Sequence, residues 1–425
     1  MGLVTILRGG YVVDPRRGLV EQADVVVRGD VIEALRPLGS VPVEADRVLD
    51  VAGTWLLPGL IDSHAHILGT GRVPVGAGLL RVRLEAYLQA GVTTIRDAGS
   101  PGGTALALAA TLAAPLVRTA GRQIRSKGSP EDAASSAEVL ASAGATWLKA
   151  YALEPSELAD VLDVGRRARL LVGVHLGDDP AAGLSLGIEA IEHVYPLVRH
   201  DLVANDERLS SRIPAADAPI ATWLLSEPTR PVVSRWYREV GDRHPFLVPT
   251  LRVMRGLRGR HPDQCDLVLS DEAPWATEAE RLRWQQQLRT WGWWDISPGS
   301  SPELRLRALE QLGRATRFLA AAGCRICVGT DFDSPFIEPG AGVLAEMRDL
   351  ETAGMERLDI IRAATSTAAD LLGLTDQIGV VAPGARADLL VLRANPFETL
   401  EALARPELVI AAGRVVADRR PESST

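Results

Sequence analysis

The chain has 425 residues, of which 46% are hydrophobic and 24% charged, and 46 basic against 54 acidic side chains leave a net charge of −8. This is the composition of an ordinary globular protein, long enough for two or three domains or for one large barrel with an accessory unit. An acidic balance without a basic cluster argues against binding to nucleic acid or to an anionic membrane. Only Lys127 and Lys149 are lysine, and the other 44 basic residues are arginine.

The sequence carries no targeting or membrane-spanning signal. Residues 1–11 lack a basic region followed by a sustained apolar run, so we expect a cytoplasmic protein. No stretch reaches the roughly 20 apolar residues of a spanning helix, so we do not expect a membrane protein. The expected partner is a small-molecule substrate. Cys265, Cys324 and Cys327 do not suggest a disulfide framework, and the last two lie in an apolar run that predicts a buried strand. The oligomeric state stays open, with a homo-oligomer as one option.

Both ends of the chain predict short strands separated by turns. Five strand candidates fall within residues 3–53, and the pattern returns at 387–392 and 408–416. We therefore predict a composite β-sandwich domain, formed by residues 1–53 and 375–425, whose two parts meet in space.

Between these ends, short apolar strands alternate with helical stretches, which is typical of a parallel α/β sheet. Residues 54–374 are predicted to form a (β/α)8 TIM barrel, with a doubly wound sheet as the alternative. The eight strand candidates are 55–66, 92–98, 116–123, 146–151, 170–176, 190–195, 246–251 and 325–332. An insertion at about 252–321 carries five of the nine tryptophans and predicts either an extra packed layer or a lid over the barrel mouth.

Six residues of metal-binding or catalytic type lie at the C-terminal ends of five strand candidates: His64, His66, Lys149, His175, His193 and Asp331. In a barrel, active sites are assembled at this face. Because His64 and His66 are two residues apart on a strand, their rings point to one side and can chelate one metal ion. Each residue alone has a structural explanation, but the occurrence of all six at the same end of the strands predicts a metal site. His200, His244 and His261 lie in polar or loop sequence and are expected to be structural.

An ordered set of motifs covers nearly the whole chain. It comprises LPGLIDSHAH at 57–66, GVTTIRD at 91–97, Lys149, VH at 174–175, IEH at 191–193, GTD at 329–331, AATSTAA at 363–369 and GVVAPGARADL at 379–389. With this set, the sequence resembles the amidohydrolase superfamily, more narrowly its imidazolonepropionase-like and prolidase-like members.

The resemblance implies a binuclear centre with two divalent ions, zinc first and manganese, cobalt or iron as alternatives. The implied ligands are His64, His66 and Asp331 for one ion, and His175 and His193 for the other. Lys149 would react with carbon dioxide and bridge both ions as a carbamate. A free lysine, with a pKa of about 10.4, would be cationic and would repel two dications.

By the same resemblance, a bridging hydroxide would attack a polarised carbonyl, with Asp331 as general base and acid. The expected reaction is hydrolysis of an amide-type C–N bond in a dipeptide, an N-acyl amino acid or a cyclic amide. The alternatives are lactone, ester or phosphotriester hydrolysis at the same site, a mononuclear deaminase, and a non-catalytic scaffold. Asp62 shares a face with His64 and would either orient the metal ligands or have a purely structural role.

Two departures from the relatives concern the substrate rather than the metal. Many relatives have a second histidine where this chain has Gly177, and many have a small Ser/Gly-rich loop where this chain continues from Tyr151. Tyr151, Tyr195 and Arg96 are the expected substrate contacts. We expect Lys127 to be replaceable by arginine, whereas an always-protonated guanidinium cannot take the place of Lys149.

Overall fold

The computed structural model describes residues 2–40, 44–70, 74–109, 114–126, 132–177, 179–198, 227–258, 274–290, 302–334 and 337–420. The strands are β1 (Val4–Asp14), β2 (Leu19–Arg28), β3 (Val31–Pro37), β4 (Arg47–Asp50), β5 (Trp55–Pro58), β6 (Leu60–Ala65), β7 (Val92–Asp97), β8 (Leu116–Thr119), β9 (Gln123–Arg125), β10 (Leu148–Tyr151), β11 (Val172–His175), β12 (Ala190–Glu192), β13 (Phe246–Val248), β14 (Arg325–Ile326), β15 (Leu389–Leu392), β16 (Leu408–Ala411) and β17 (Arg414–Asp418). The α-helices are α1 (Ala77–Gln89), α2 (Ala105–Ala109), α3 (Ala133–Ser142), α4 (Pro155–Ala168), α5 (Pro180–Ser185), α6 (Pro231–Gly241), α7 (Leu251–Arg258), α8 (Glu278–Thr290), α9 (Pro302–Ala322), α10 (Ala341–Thr352), α11 (Arg357–Ala363) and α12 (Ser366–Leu371).

Strands from both ends of the chain form one eight-stranded sheet, in the order β17-β16-β15-β5-β1-β2-β3 with β4 paired to β1. It encloses an aliphatic core of its own, in which Leu7, Val25 and Leu389 are fully buried. Full burial of a side chain of this size contributes about 1.5–3 kcal/mol. The predicted small β-sandwich domain formed from both termini is confirmed. Because β5 pairs with β1 and with β15, the terminal sheet extends to Pro58, past the predicted limit at residue 53.

The parallel strands β6 to β14 form the barrel that holds the candidate site. They are paired as β6-β7-β8 and as β14-β13-β12-β11-β10-β9. The predicted strand 116–123 consists of two pieces, β8 and β9, because Gly121 between them turns the chain with a φ of +74°. The barrel closes where Ser63 N donates to the Val328 carbonyl oxygen at 2.8 Å and Ala65 pairs with Phe332. The (β/α)8 prediction is confirmed, and the doubly wound alternative is wrong.

Local sequence signals fix the helices that connect the strands, as α4 shows. Glu154 and Glu157 form a reciprocal capping box, and Pro155 occupies the first turn, where its missing N–H costs no hydrogen bond. Leu158 and Val161 lie one turn apart and face the core. Helix α4 therefore packs on the barrel and leads the chain into β11, which carries His175.

Three barrel strands near the candidate site are shorter than expected. Strand β12 ends at Glu192, β13 at Val248 and β14 at Ile326. Beyond these ends His193, Thr250 and Asp331 take left-handed φ values of 68°, 51° and 57°. A strand cannot include such residues. Left-handed backbone at non-glycine positions costs about 1–3 kcal/mol and clusters at functional sites.

Several residues singled out in the sequence lie outside the described residues: Lys127, His200, His261, Cys265, Trp291, Trp293 and Trp294. Of the other residues judged structural, His244 is exposed and Cys324 and Cys327 are buried free thiols whose pKa burial raises, to about 12 for Cys324. Across the described ranges, none of the helices combines the length and the apolar character that a bilayer crossing requires.

Candidate metal centre

His64, near the end of β6, and His66, just after it, both face Asp331, and each ring is held through its Nδ1 atom. His64 Nδ1 lies 2.6 Å from Glu192 Oε2, and His66 Nδ1 lies 2.8 Å from the carbonyl oxygen of Gly99. A carboxylate or carbonyl oxygen accepts a hydrogen bond, so Nδ1 of each ring carries the proton. The lone pair on each Nε2 is then available to a metal ion.

Asp331 faces both of these nitrogens. Its Oδ1 atom lies 3.4 Å from His64 Nε2 and 3.5 Å from His66 Nε2. The backbone N–H groups of Thr330 and Asp331 both donate to the His64 carbonyl oxygen, at 3.1 and 2.8 Å, which holds Asp331 against β6. Burial alone would raise the pKa of Asp331, but the neighbouring His64 and His66 hold it well below its usual range. One carboxylate and two imidazoles converge in a pattern that suits zinc and its neighbours.

His193 and His175 extend the cluster from His64. The ring centroids are 4.8 Å apart between His64 and His193, and again between His193 and His175. His193 Nδ1 is held by the Thr250 hydroxyl at 2.8 Å, and His175 Nε2 lies 2.9 Å from the Tyr195 hydroxyl. Burial lowers the pKa of His175 to about 3 and that of His193 well below its usual value. Both rings are therefore neutral at neutral pH, which is the form that binds metals.

Lys149 ends in a buried amine at the same cluster. Its side chain is 1% exposed, and Nζ has no hydrogen-bond partner among the described residues. Burial lowers the pKa of Lys149 to about 8, with the Arg96 charge adding to the effect and Glu192 and Asp331 opposing it. A buried ammonium group without a partner is costly. Conversion of this amine to a carbamate would remove that cost and supply anionic oxygen atoms.

The residues present fit divalent metal ions. Ligand atoms of His64, His193 and Asp331 all lie within 4.8 Å of one another. Buried polar atoms in proteins are normally paired, yet Lys149 Nζ and His175 Nδ1 are buried without a hydrogen-bond partner in the described part of the chain. Neutral imidazoles and a carboxylate are together a donor set that suits divalent ions.

The three predicted substrate contacts are in different surroundings. Tyr151 and Tyr195 are half-buried beside His175, with ring centroids 4.3 and 5.6 Å from its ring. Both rings therefore lie against the histidine cluster. Arg96 instead is 1% exposed and packs in the barrel core, where its guanidinium carbon lies 3.4 Å from the centre of the Trp147 ring. This placement differs from the expectation of a substrate contact, because the charge of Arg96 is directed at Glu192.

Sequence reasoning missed the residues that hold the histidine rings. Glu192 stands beside His193 in a quoted motif, but side chains alternate along a strand, so the two are expected on opposite faces. The left-handed backbone of His193 breaks this alternation, and the two side chains both reach the cluster. Gly99 and Thr250 carry no sequence signal, since a backbone carbonyl and a lone hydroxyl have no pattern.

Asp62 connects the first barrel strand to the segment that follows the last strand, β14. Its Oδ1 accepts hydrogen bonds from His64 N at 3.2 Å and Thr330 N at 3.0 Å. Its Oδ2 accepts from the hydroxyl groups of Thr330 at 2.7 Å and Tyr87 at 3.2 Å. Burial raises the pKa of Asp62 to about 6, although these bonds oppose the shift. The carboxylate thus anchors the turn that carries Asp331.

One described segment of the tryptophan-rich insertion, at 274–284, packs against Phe332, the residue after Asp331. Arg83 Nη2 pairs with Glu280 Oε1 at 2.7 Å, and Arg83 Nε donates to the Trp275 carbonyl oxygen at 3.0 Å. The Trp275 ring contacts the ring of Phe332, with centroids 5.9 Å apart. This part of the insertion is therefore fixed to the rim of the barrel by a buried ion pair and aromatic packing.

Sequence comparison finds partial matches to characterised families. The profile of the amidohydrolase family matches residues 306–416. An imidazolonepropionase from Pseudomonas entomophila is 40% identical over 101 residues, which are 23% of this chain and 23% of that protein. An adenine deaminase 2 from Rhizobium meliloti is 24% identical over 96% of this chain and 57% of its own length. The chain thus aligns with about a quarter of the imidazolonepropionase and just over half of the deaminase.

Solved structures share the whole fold at lower sequence identity. A Xaa-Pro dipeptidase with bound methionine in its active site has a TM-score of 0.69 at 17% identity, covering 97% of this chain and 99% of the other. A bottromycin amidohydrolase has a TM-score of 0.71 at 24% identity, covering 97% and 86%. These structures establish the barrel with its terminal β-domain.

Proposed function

We propose that the chain belongs to the amidohydrolase superfamily, as its partial profile match and its structural neighbours support, and that it is a metal-dependent hydrolase of an amide-type C–N bond. The substrate would be a dipeptide, an N-acyl amino acid or a cyclic amide. The observation that carries the proposal is the approach of Asp331 Oδ1 to the free nitrogens of His64 and His66, at 3.4 and 3.5 Å. Two of the similar proteins are themselves named as a dipeptidase and an amidohydrolase.

We propose that the centre holds two divalent ions, with zinc as the first expectation. Its ligands would be His64, His66 and Asp331 for one ion and His175 and His193 for the other. Lys149, carboxylated by carbon dioxide, would bridge them. Its Nζ is buried and has no hydrogen-bond partner in the described ranges, which supports this role. A neutral amine is the form that reacts with carbon dioxide, and burial lowers the pKa of Lys149 to about 8. When bound, the ions supply a Lewis acid and an activated water nucleophile.

Within this chemistry Asp331 moves the proton. Its carboxylate, ionised because its pKa is held well below the usual range, accepts the proton that the attacking water loses. The same carboxyl group then delivers that proton to the departing nitrogen. Asp62 would keep Asp331 in position through Thr330. Tyr151 and Tyr195, whose rings lie beside His175, would contact the substrate.

The second candidate is a mononuclear deaminase. It is favoured by the alignment with an adenine deaminase over 96% of this chain. A deaminase of this kind would use one ion and would not need Lys149, so the buried amine favours the hydrolase.

A substrate panel tests the proposal. The protein is treated with a chelator, reconstituted with zinc or manganese in the presence of bicarbonate, and assayed with dipeptides, N-acyl amino acids and cyclic amides beside lactones, esters, phosphotriesters and aminopurines. The proposal expects metal-dependent cleavage of at least one C–N substrate. Cleavage confined to esters, lactones or phosphotriesters contradicts the bond type, ammonia release from an aminopurine favours the deaminase, and no turnover of any substrate favours a non-catalytic scaffold.

A further inference from the structure

Glu192 is buried between a predicted metal ligand and an arginine. One oxygen, Oε2, lies 2.6 Å from His64 Nδ1, and the other, Oε1, lies 2.7 Å from Arg96 Nη1. The side chain of Glu192 is 0% exposed and that of Arg96 is 1% exposed. Each carboxylate oxygen therefore accepts a hydrogen bond from a different donor, and both side chains are shielded from solvent.

The surroundings of this ion pair are shaped to hold it. Arg96 stacks on the Trp147 ring, and its Nη1 also donates to the Ser63 carbonyl oxygen at 3.1 Å. Gly173 faces the pair, and a Cβ atom at that position would collide with Glu192 Oε1 and lie 2.6 Å from Arg96 Nη2. The glycine leaves the space that the two charged side chains occupy. A stacked cation and a side-chain-free position are what a buried carboxylate needs to stay ionised and in place.

We propose that the Arg96–Glu192 ion pair is a positioning device that fixes His64 in its Nδ1–H tautomer and so keeps Nε2 directed at the metal ion shared with His66 and Asp331. This inference rests on the proposed metal-dependent function. Arg96 acts through Glu192, and Glu192 acts through the His64 ring; neither touches the substrate. A carboxylate behind a ligating histidine orients the ring and increases its basicity, and its loss typically costs about 10- to 100-fold in metal affinity.

Replacement of Glu192 by glutamine separates this role from simple packing. Glutamine has nearly the same shape, but its amide offers one acceptor where the carboxylate offers two. If the amide oxygen accepts from His64, the NH2 group faces the donors of Arg96. If the oxygen faces Arg96, the NH2 group donates to His64 Nδ1 and forces the proton to Nε2, which then cannot bind a metal ion.

The test measures zinc binding rather than turnover. Metal-free parent protein and the Glu192→Gln variant are titrated with zinc against a chromophoric chelator. A matched control is Asp388→Asn, because Asp388 is also a buried carboxylate paired with an arginine, Arg386 Nε at 3.0 Å, but in the terminal β-domain. We expect Glu192→Gln to weaken zinc binding at one site by about 10- to 100-fold and the control to match the parent. Equal affinity in parent and Glu192→Gln overturns the inference, whereas a parent that binds no zinc overturns the proposed function itself.

A spectroscopic readout reports the tautomer directly. In metal-free protein labelled with 15N-histidine, we expect the His64 proton on Nδ1 in the parent and a shift toward Nε2 in Glu192→Gln. An unchanged tautomer in the variant overturns the inference.

The double variant Glu192→Gln/Arg96→Met removes the competing donors, so its zinc affinity should exceed that of Glu192→Gln alone. If the two substitutions instead weaken zinc binding additively, the proposed competition between Arg96 and His64 for the glutamine oxygen is contradicted. If Glu192→Gln does not fold, the double variant is tested in its place, because it removes the buried charge of Arg96 together with that of Glu192. It should then bind zinc about tenfold more weakly than the parent, and parental affinity would overturn the inference.

Discussion

The carboxylate of Asp62 accepts hydrogen bonds from both the backbone N–H and the hydroxyl of Thr330, which lies 268 residues later in the chain. Thr330 immediately precedes Asp331, whose φ of 57° directs the chain back toward His64. A left-handed residue costs free energy and persists only where its neighbours hold it. The hydrogen bonds between Asp62 on β6 and Thr330 are therefore part of what positions the Asp331 carboxylate.

Removal of this carboxylate should affect both stability and metal binding. We expect Asp62→Ala to lower the free energy of unfolding by about 2–4 kcal/mol, because it leaves several buried donors without an acceptor. Urea denaturation measures that loss, and zinc titration should show weaker binding. Asp24→Ala is the matched control, since Asp24 is a buried carboxylate that accepts from Gly9 N and Gly39 N in the terminal sheet. Asp24→Ala should lose stability alone; loss of zinc affinity in both variants would mean that Asp62 has no special role.

The two lysines provide a second comparison. We expect Lys149→Arg to reduce hydrolytic activity by at least about 10²-fold, because a guanidinium cannot form the carbamate and places a fixed cation beside the metal ions. Lys127→Arg should keep parental activity. Steady-state assays with added bicarbonate check both variants. Loss of activity in Lys127→Arg with activity retained in Lys149→Arg would reverse the account.

Tyr195 should contribute to turnover without holding metal. Its hydroxyl lies 2.9 Å from His175 Nε2. In Tyr195→Phe we expect kcat/KM to fall about tenfold, the effect of one lost hydrogen bond of about 1.4 kcal/mol, with an unchanged number of bound ions. Tyr11→Phe, in a ring that stacks on Trp55 in the terminal domain, should change neither quantity. A drop in metal content in Tyr195→Phe would instead place Tyr195 among the groups that hold the ions.

Glu346 should make stability depend on pH. Its two oxygens accept from Leu251 N at 2.8 Å and Arg252 N at 2.5 Å, and burial, with Asp349 nearby, raises its pKa from 4.5 to about 8. The folded state therefore holds this proton more tightly than the unfolded state, so the free energy of unfolding falls as pH rises from about 4.5 to 8.

The Glu346→Gln variant has no proton to lose at this position. Its amide offers one acceptor fewer, which costs about 1 kcal/mol at every pH. Between pH 5 and 8.5, however, its stability should fall less than that of the parent, by an amount on the order of 4 kcal/mol at most. Urea denaturation at pH 5 and at pH 8.5 gives the free energy of unfolding of each protein, and the value of the variant minus that of the parent is compared between the two pH values. A difference that does not change with pH would contradict the raised pKa.

The sequence predicted the barrel and its six metal-competent residues because strand periodicity and the position of a residue at a strand end are local properties. His64 and His66 could be placed on one face by counting two residues along β6. The composite terminal domain was predictable for the same reason, since both ends carry the strand and turn pattern.

The supporting contacts could not be predicted because they depend on long-range geometry. Glu192 reaches His64 across 128 residues, and the local rule of alternation placed it on the wrong face relative to His193. Arg96 was expected to contact the substrate. The structure buries it because Trp147 and Gly173 together leave room for a guanidinium inside the barrel.

The central claim is that this cluster holds two divalent ions bridged by a modified Lys149. Elemental analysis by mass spectrometry, on protein reconstituted with zinc and bicarbonate and then desalted, tests it most directly. The account predicts about two zinc ions per chain in the parent and fewer in Lys149→Ala, which lacks the bridging group. A parent that retains no zinc, or one ion per chain with the same content in Lys149→Ala, would contradict it.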